Sequence, residues 1–252
     1  MTTRAHRPAT LRLLVAYDGT HFAGWQRQQQ GRTVQATLED ALTRLTGRRT
    51  TVIGAGRTDA GVHALGQVAH ARVVTRLSPA VLRRALNALL PDDLVVRRLT
   101  LAPDRFHAQH DARRKWYRYR IATGPVRPLV ERAYVLYVSQ PPDLAVMRRT
   151  AARWVGRHDF RAFHSAGQPV ASTRRRVDRV RISRQGGELR IDVVADGFLY
   201  HMVRRMVGLL LEVGRGRPMP AVAPTAPAKG LCLMRVTYSA RGARPPWHRR
   251  RR

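Results

Sequence analysis

"TVIGAGRTDAGVHALGQVAHARV", residues 51–73, reads as a strand, a glycine-rich bend and a second strand. Gly56 and Gly61 flank the bend and allow tight or left-handed backbone there. The bend's one acid is Asp59, set two residues behind Arg57. This spacing serves two ends: an aspartate that satisfies turn amides, or a carboxylate held outward where a ligand can approach.

Strand and helix signals alternate on both sides of this stretch. Residues 11–17, LRLLVAY, form an apolar, branched strand closed by the turn formers DGT. Val34, Leu38, Leu42 and Leu45 recur at helical spacing, and Gly47 marks the stop. Ser78 and Pro79 supply an N-cap and a first helical residue for a helix whose apolar face is Leu82, Leu86 and Leu89. A strand, LVVRRLTL, follows at 94–101.

The second half repeats the grammar. Strands are predicted at 115–121 and 133–138, and a helix from Asp143 to Gly156 carries Leu144, Met147, Ala151 and Trp154 on one side. A hairpin then runs VDRVRIS, RQGG, ELRIDVV. It is followed by an apolar helix, FLYHMVRRMVGLLLEV, and a last strand, LCLMRVTY. Four prolines in RPMPAVAPTAPAKG (217–230) predict a loop. Two successive sets of strands and helices imply an α+β fold of two subdomains whose sheets join, with a break near residues 102–112. Residues 1–10 read as a flexible basic arm and 241–252, RGARPPWHRRRR, as a disordered basic tail.

Composition narrows the class of partner. The chain of 252 residues holds 47 Lys plus Arg against 16 Asp plus Glu, a formal charge of +31. That much like charge repels itself in a compact state, and a polyanion relieves it. Lysine occurs only at 115 and 229. Arginine binds phosphate bidentately and stacks on bases, although a GC-rich genome also favours arginine codons. The single Cys232 allows no internal disulfide, which fits a reducing compartment. No run of about 18 apolar residues is present, and the expected location is the cytoplasm.

Several weaker signals are set aside. HAQHD (107–111) offers two histidines and an aspartate to zinc but no evident further ligand nearby. DAG, the triplet of aspartic proteases, occurs once, and YDGT lacks the first aspartate of a phosphotransferase motif.

GRTDAGVHALGQV resembles the active-site motif of the tRNA pseudouridine synthases of the TruA family. The likeness extends, in that family's order, through YDGTHFAGWQRQ (17–28), RFHAQHDARRKWYRY (105–119), GRHDFRAFHS (156–165), GFLYHMVRRMVGLLLEVG (197–214) and TAPAKGLCL (225–233). The resemblance implies two ferredoxin-like subdomains, 11–105 and 106–240, sharing one continuous, mainly antiparallel sheet with a central active-site cleft. It also implies a homodimer that holds tRNA by the anticodon arm and isomerises uridines at tRNA positions 38–40, with no cofactor and no metal. It makes Asp59 the catalytic nucleophile, Arg204 the cation paired with it, Tyr117 the aromatic wall of the pocket and Arg57 a contact at the flipped nucleotide. A non-catalytic RNA-binding or RNA-chaperone protein of the same fold is the competing reading.

Elementary chemistry accompanies each assignment. Isomerising uridine breaks a C–N glycosidic bond and rebuilds it to C5, and a covalent carboxylate intermediate holds the fragments meanwhile. An arginine beside the carboxylate keeps it ionised and aimed. A base stacked in a stem must first be extruded, at a cost of a few kcal/mol. On the helical wheel Arg204 and Arg205 flank the apolar arc of Met202, Met206, Leu209, Leu210 and Val213 from opposite sides, and periodicity does not choose between them. Charge and position nominate Arg27, Arg83, Arg84, Arg113 and Arg114 for the RNA backbone. Where the family carries an extra helix before TAPA, this chain has only its proline-rich loop.

Overall fold

The computed structural model describes residues 8–167 and 170–239. The basic tail at 241–252 and residues 1–7 of the basic arm lie outside the described residues.

The first half runs β1 (Ala9–Tyr17), α1 (Val34–Thr46), β2 (Val52–Gly54), β3 (His63–Val73), α2 (Pro79–Leu89) and β4 (Leu94–Ala102). The second runs β5 (Ala112–Thr123), β6 (Leu136–Val138), α3 (Leu144–Ala152), β7 (Gly156–Asp159), β8 (Arg174–Gln185), β9 (Glu188–Ala195), α4 (Met202–Gly214) and β10 (Leu231–Tyr238). Ten strands form one sheet in the order β4-β1-β3-β10-β5-β9-β8-β7, with β2 also paired to β3 and β6 to β5. The N-terminal strands are ordered β4-β1-β3-β2 and the C-terminal ones β10-β5-β9-β8, antiparallel throughout both sets. Each set is a β-α-β-β-α-β unit of ferredoxin-like order. They join where His63 and Ala64 of β3 pair in parallel with Cys232 and Leu233 of β10. Only this joint and the β5–β6 pair are parallel among the described strands, so the α+β, mainly antiparallel reading holds.

Local chemistry explains the elements. Thr33 accepts the Ala36 amide at the start of α1, and Gly47 closes that helix at φ 66°. Ser78 caps α2 ahead of Pro79, as its sequence predicts. Leu38 and Leu42 of α1, Leu82 and Leu86 of α2, Met147 of α3 and Val207 and Leu210 of α4 are fully buried. Burial of each such side chain contributes about 1.5–3 kcal/mol. Along β4, Leu94, Val96 and Leu99 point into the core while Val95, Arg97 and Thr100 face out.

Several boundaries differ from the sequence reading, among them β5 and β8, which begin at Ala112 and Arg174 rather than at 115 and 177. β1 begins at Ala9, inside the stretch read as a flexible arm. β6 covers only Leu136–Val138, because Val130–Ala133 winds into a 3₁₀ turn. α3 stops at Ala152, not Gly156: the amides of Arg153, Trp154 and Val155 each reach back three residues, and Gly156 (φ 116°) opens the unpredicted strand β7. α4 begins at Met202 rather than Phe198, because His201 stands in the left-handed region just before it.

Candidate active site

The loop between β2 and β3 is fixed from below, and its aspartate is not what fixes it. Thr58 Oγ1 meets the Tyr17 hydroxyl at 2.8 Å, and the Thr58 carbonyl accepts the Trp25 amide at 3.0 Å. Gln67 on β3 donates Nε2 to the Gly56 carbonyl at 2.7 Å. Gly24 (φ 92°) backs directly onto this loop, where a Cβ would stand 2.7 Å from the Thr58 carbonyl oxygen. The segment at 17–28 is thus the cradle of the bend at 54–62. Within the bend the Val62 amide goes to the Asp59 backbone carbonyl at 3.1 Å and the Gly61 amide to Phe22 O at 3.3 Å. The Asp59 side chain takes no amide of its own turn, and the turn-aspartate alternative is not realised.

The carboxylate instead crosses to the other half of the molecule. Arg204 on α4 donates Nη1 to Asp59 Oδ2 at 3.0 Å and Nε to the Ala226 carbonyl at 2.8 Å. Ala226 belongs to the proline-rich loop, and its amide returns to Arg204 O at 3.1 Å. The same loop packs on α4 at Gly208, where a Cβ would meet Pro224 O at 1.9 Å, and its Pro227 carbonyl accepts the Tyr119 hydroxyl at 2.7 Å. The segment read from sequence as a plain loop aims the arginine. The ion pair is partly shielded, its side chains 15% and 21% exposed for Arg204 and Asp59, so it is screened less than a surface pair. Asp59 Oδ1 has no hydrogen-bond partner among the described residues.

Tyr117 on β5 is buried and meets Phe198 edge-on, ring centroids 5.1 Å apart. Burial, with Tyr17 and the Asp59 charge nearby, pushes its hydroxyl pKa far up, so at neutral pH it is uncharged. Lys115 lies two residues earlier on the same face of β5, its ammonium beside Gly56. Burial and Arg175 lower its pKa against the pull of Asp196.

Arg57 does not meet Asp59. It is exposed and donates Nε to Gln26 Oε1 at 3.1 Å. Arg205 turns the other way from Arg204, with Nη1 on the His164 carbonyl at 3.0 Å, and acts as a strut. Of the arginines nominated for RNA, Arg27 is paired with Glu39 at 2.6 Å and Arg114 with Asp178, Arg113 donates to Ser239, and Arg84 is exposed. In the HAQHD segment His107 Nδ1 accepts the amides of Gln109 and His110 at 3.3 and 3.2 Å.

His201 is the neighbour that sequence reading missed. Its Nε2 lies 3.6 Å from Asp59 Oδ2 and its Nδ1 2.9 Å from Ser165 Oγ. A histidine ahead of a helix carries no sequence mark of a left-handed backbone, so no pattern reveals it. A cavity of about 500 Å³ lies apart from this cluster, lined among others by Asp18, His63, Arg118, Arg120, Tyr134 and Cys232.

The family described as tRNA pseudouridine synthase matches this chain over residues 13–111 and 150–224. The tRNA pseudouridine synthase A of Moorella thermoacetica is 46% identical over 244 residues, covering 90% of this chain and 99% of the relative. That of Syntrophotalea carbinolica is 43% identical, covering 92% and 97%, and that of Rhodospirillum rubrum 40% identical, covering 93% and 89%. With that match over most of its length and relatives more than 40% identical over nearly the whole of both chains, the chain belongs to the tRNA pseudouridine synthase family, isomerases that act on tRNA.

Proposed function

We propose that this enzyme converts uridines of the tRNA anticodon arm, at tRNA positions 38–40, to pseudouridine, with Asp59 as the nucleophile. The observation that carries the reading is the carboxylate itself: Oδ2 is held by Arg204, and Oδ1 is unengaged among the described residues. Once the target base is extruded, the free oxygen attacks the nucleoside, at sugar C1′ or at uracil C6. Attack at C1′ displaces N1 and leaves the sugar esterified while the released uracil turns in the pocket, whereas attack at C6 keeps the uracil tethered while the C1′–N1 bond breaks. In either route C5 bonds to C1′ and the bond to Asp59 then breaks, which regenerates the carboxylate. The hydrogen on C5 then leaves as a proton and N1 gains one, so the product is an isomer of the substrate.

Each remaining residue has a task. Arg204 keeps the carboxylate ionised and oriented, Tyr117 forms the apolar wall for the flipped base, and Arg57, exposed at the rim, contacts the flipped nucleotide. The chain needs no cofactor for this sequence of steps. Residues 11–105 and 106–240 act as the two jaws of a central active-site cleft. A homodimer in the cytoplasm presents the arginine-rich surface to one tRNA by shape and backbone.

Incubation with a tRNA transcript tritiated at uridine C5 tests the reading. Release of label, with pseudouridine mapped to the anticodon arm, supports it. Tight tRNA binding without release favours the RNA-chaperone reading, and pseudouridine confined to another arm overturns the assigned site.

A further inference from the structure

His201 is the only residue other than glycine with a positive φ among the described residues, at φ 62° and ψ 2°. That region disfavours any side chain with a Cβ, and glycine or asparagine fills it more cheaply. An imidazole held there against its backbone preference points to a use for the ring. The ring is not a helix cap: His201 occupies the N-cap position of α4, and its side chain makes no capping hydrogen bond.

The ring is locked from three sides. Tyr200 stacks on it, centroids 3.8 Å apart. Ser165 Oγ stands 2.9 Å from Nδ1, and Ser165 is itself anchored by its amide to the Tyr200 carbonyl at 3.2 Å. The third side faces Asp59 Oδ2 at 3.6 Å, the oxygen that also takes Arg204. Burial, with Arg204 and Arg205 nearby, lowers the imidazole pKa against the opposing pull of Asp59, so at neutral pH the ring carries one proton. With that proton on Nε2 and the Ser165 hydroxyl donating to Nδ1, every contact is attractive. The other tautomer sets a lone pair against a carboxylate.

We infer that His201, oriented by Ser165, is a positioning residue that shares Oδ2 of Asp59 with Arg204 and thereby reserves Oδ1 for attack. The inference rests on Asp59 being the nucleophile. At 3.6 Å the contact is open, and it shortens when an extruded base displaces water, as catalytic hydrogen bonds do on substrate binding.

Two substitutions separate this from a structural role. The asparagine of His201→Asn tolerates left-handed backbone and retains a group near Nδ1 but does not reach Asp59. The longer amide of His201→Gln places a donor near Nε2. The readouts are single-turnover rate and tRNA Kd, with thermal melting to verify folding. His201→Asn is expected to bind tRNA within about two-fold of wild type and to lose about a hundred-fold in rate, while His201→Gln recovers at least about ten-fold of that loss. Ser165→Ala, away from the strained backbone, is expected to slow the same step about ten-fold and keeps the proposal testable if His201→Asn does not fold. A wild-type rate in His201→Asn or Ser165→Ala overturns the proposal. So do equal losses in His201→Asn and His201→Gln accompanied by weaker tRNA binding. A wild-type enzyme that releases no C5 label overturns instead the function on which the proposal rests.

Discussion

Arg204 Nη1 lies 3.0 Å from Asp59 Oδ2, a contact that spans 145 residues of chain and joins α4 of one half to the β2–β3 loop of the other. The second donor, Nε, is committed to Ala226 O, so the guanidinium is a rigid bracket with one end on the loop and the other on the carboxylate. Lysine is a point charge and cannot hold both ends. Arg204→Lys is therefore expected to leave tRNA affinity close to wild type and to cut turnover about a hundred-fold. Unchanged turnover means that charge alone suffices.

The bracket depends on the proline-rich loop staying against α4. Gly208→Ala drives a methyl group into the Pro224 carbonyl, and backbone there cannot yield cheaply. The variant is expected to lose about 1–3 kcal/mol of stability and a larger share of activity than that loss explains, because Ala226 moves with the loop. Denaturant unfolding alongside turnover checks the pairing of the two effects.

Asp192 on β9, almost fully buried, accepts Trp116 Nε1 at 2.7 Å and Arg118 through Nε at 2.8 Å and Nη2 at 3.1 Å. Asp192→Ala strands a largely buried guanidinium and an indole N–H. The expected loss is about 3 kcal/mol, read as a lower denaturation midpoint. A change under about 0.5 kcal/mol contradicts the assignment of that site as a buried network.

Lys115 supplies a pH test. Its pKa is lowered in the folded state, so between that value and the unfolded one the unfolded chain binds more protons and stability rises with pH. The penalty is full below the folded value and gone above the unfolded value near 10.5. Lys115→Met removes it at every pH. The variant's melting temperature relative to wild type is expected to be highest near neutrality and to shrink as pH approaches about 10. A difference that is constant with pH contradicts the lowered pKa.

The excess of arginine over acid predicts strong salt dependence. Between about 50 and 200 mM salt, tRNA affinity is expected to fall by roughly 10³ or more, as for a protein neutralising six or more phosphates. A flat response means that the arginine surface is not the docking face.

Much of this architecture was legible because it is local. Ser78-Pro79 and Gly47 mark helix ends by themselves, and the strand–bend–strand at 51–73 needs only its glycines. What sequence withheld is decided across the chain. Arg204 and Arg205 are equivalent on a helical wheel, and the Ala226 carbonyl from a loop 22 residues away separates them. α4 starts at Met202 rather than Phe198 because His201 stands in a left-handed backbone conformation that propensity disfavours. Arg57 lies two residues from Asp59 in sequence but turns outward to Gln26, a partner 31 residues away that no local pattern marks.

The most direct measurement compares the wild-type enzyme with Asp59→Ala on tRNA tritiated at uridine C5. The substitution removes the carboxylate whose Oδ1 is unengaged among the described residues and leaves the arginine surface intact. Binding within a few-fold of wild type with no release of label above background is the predicted result. Release at or near the wild-type rate from Asp59→Ala would contradict it.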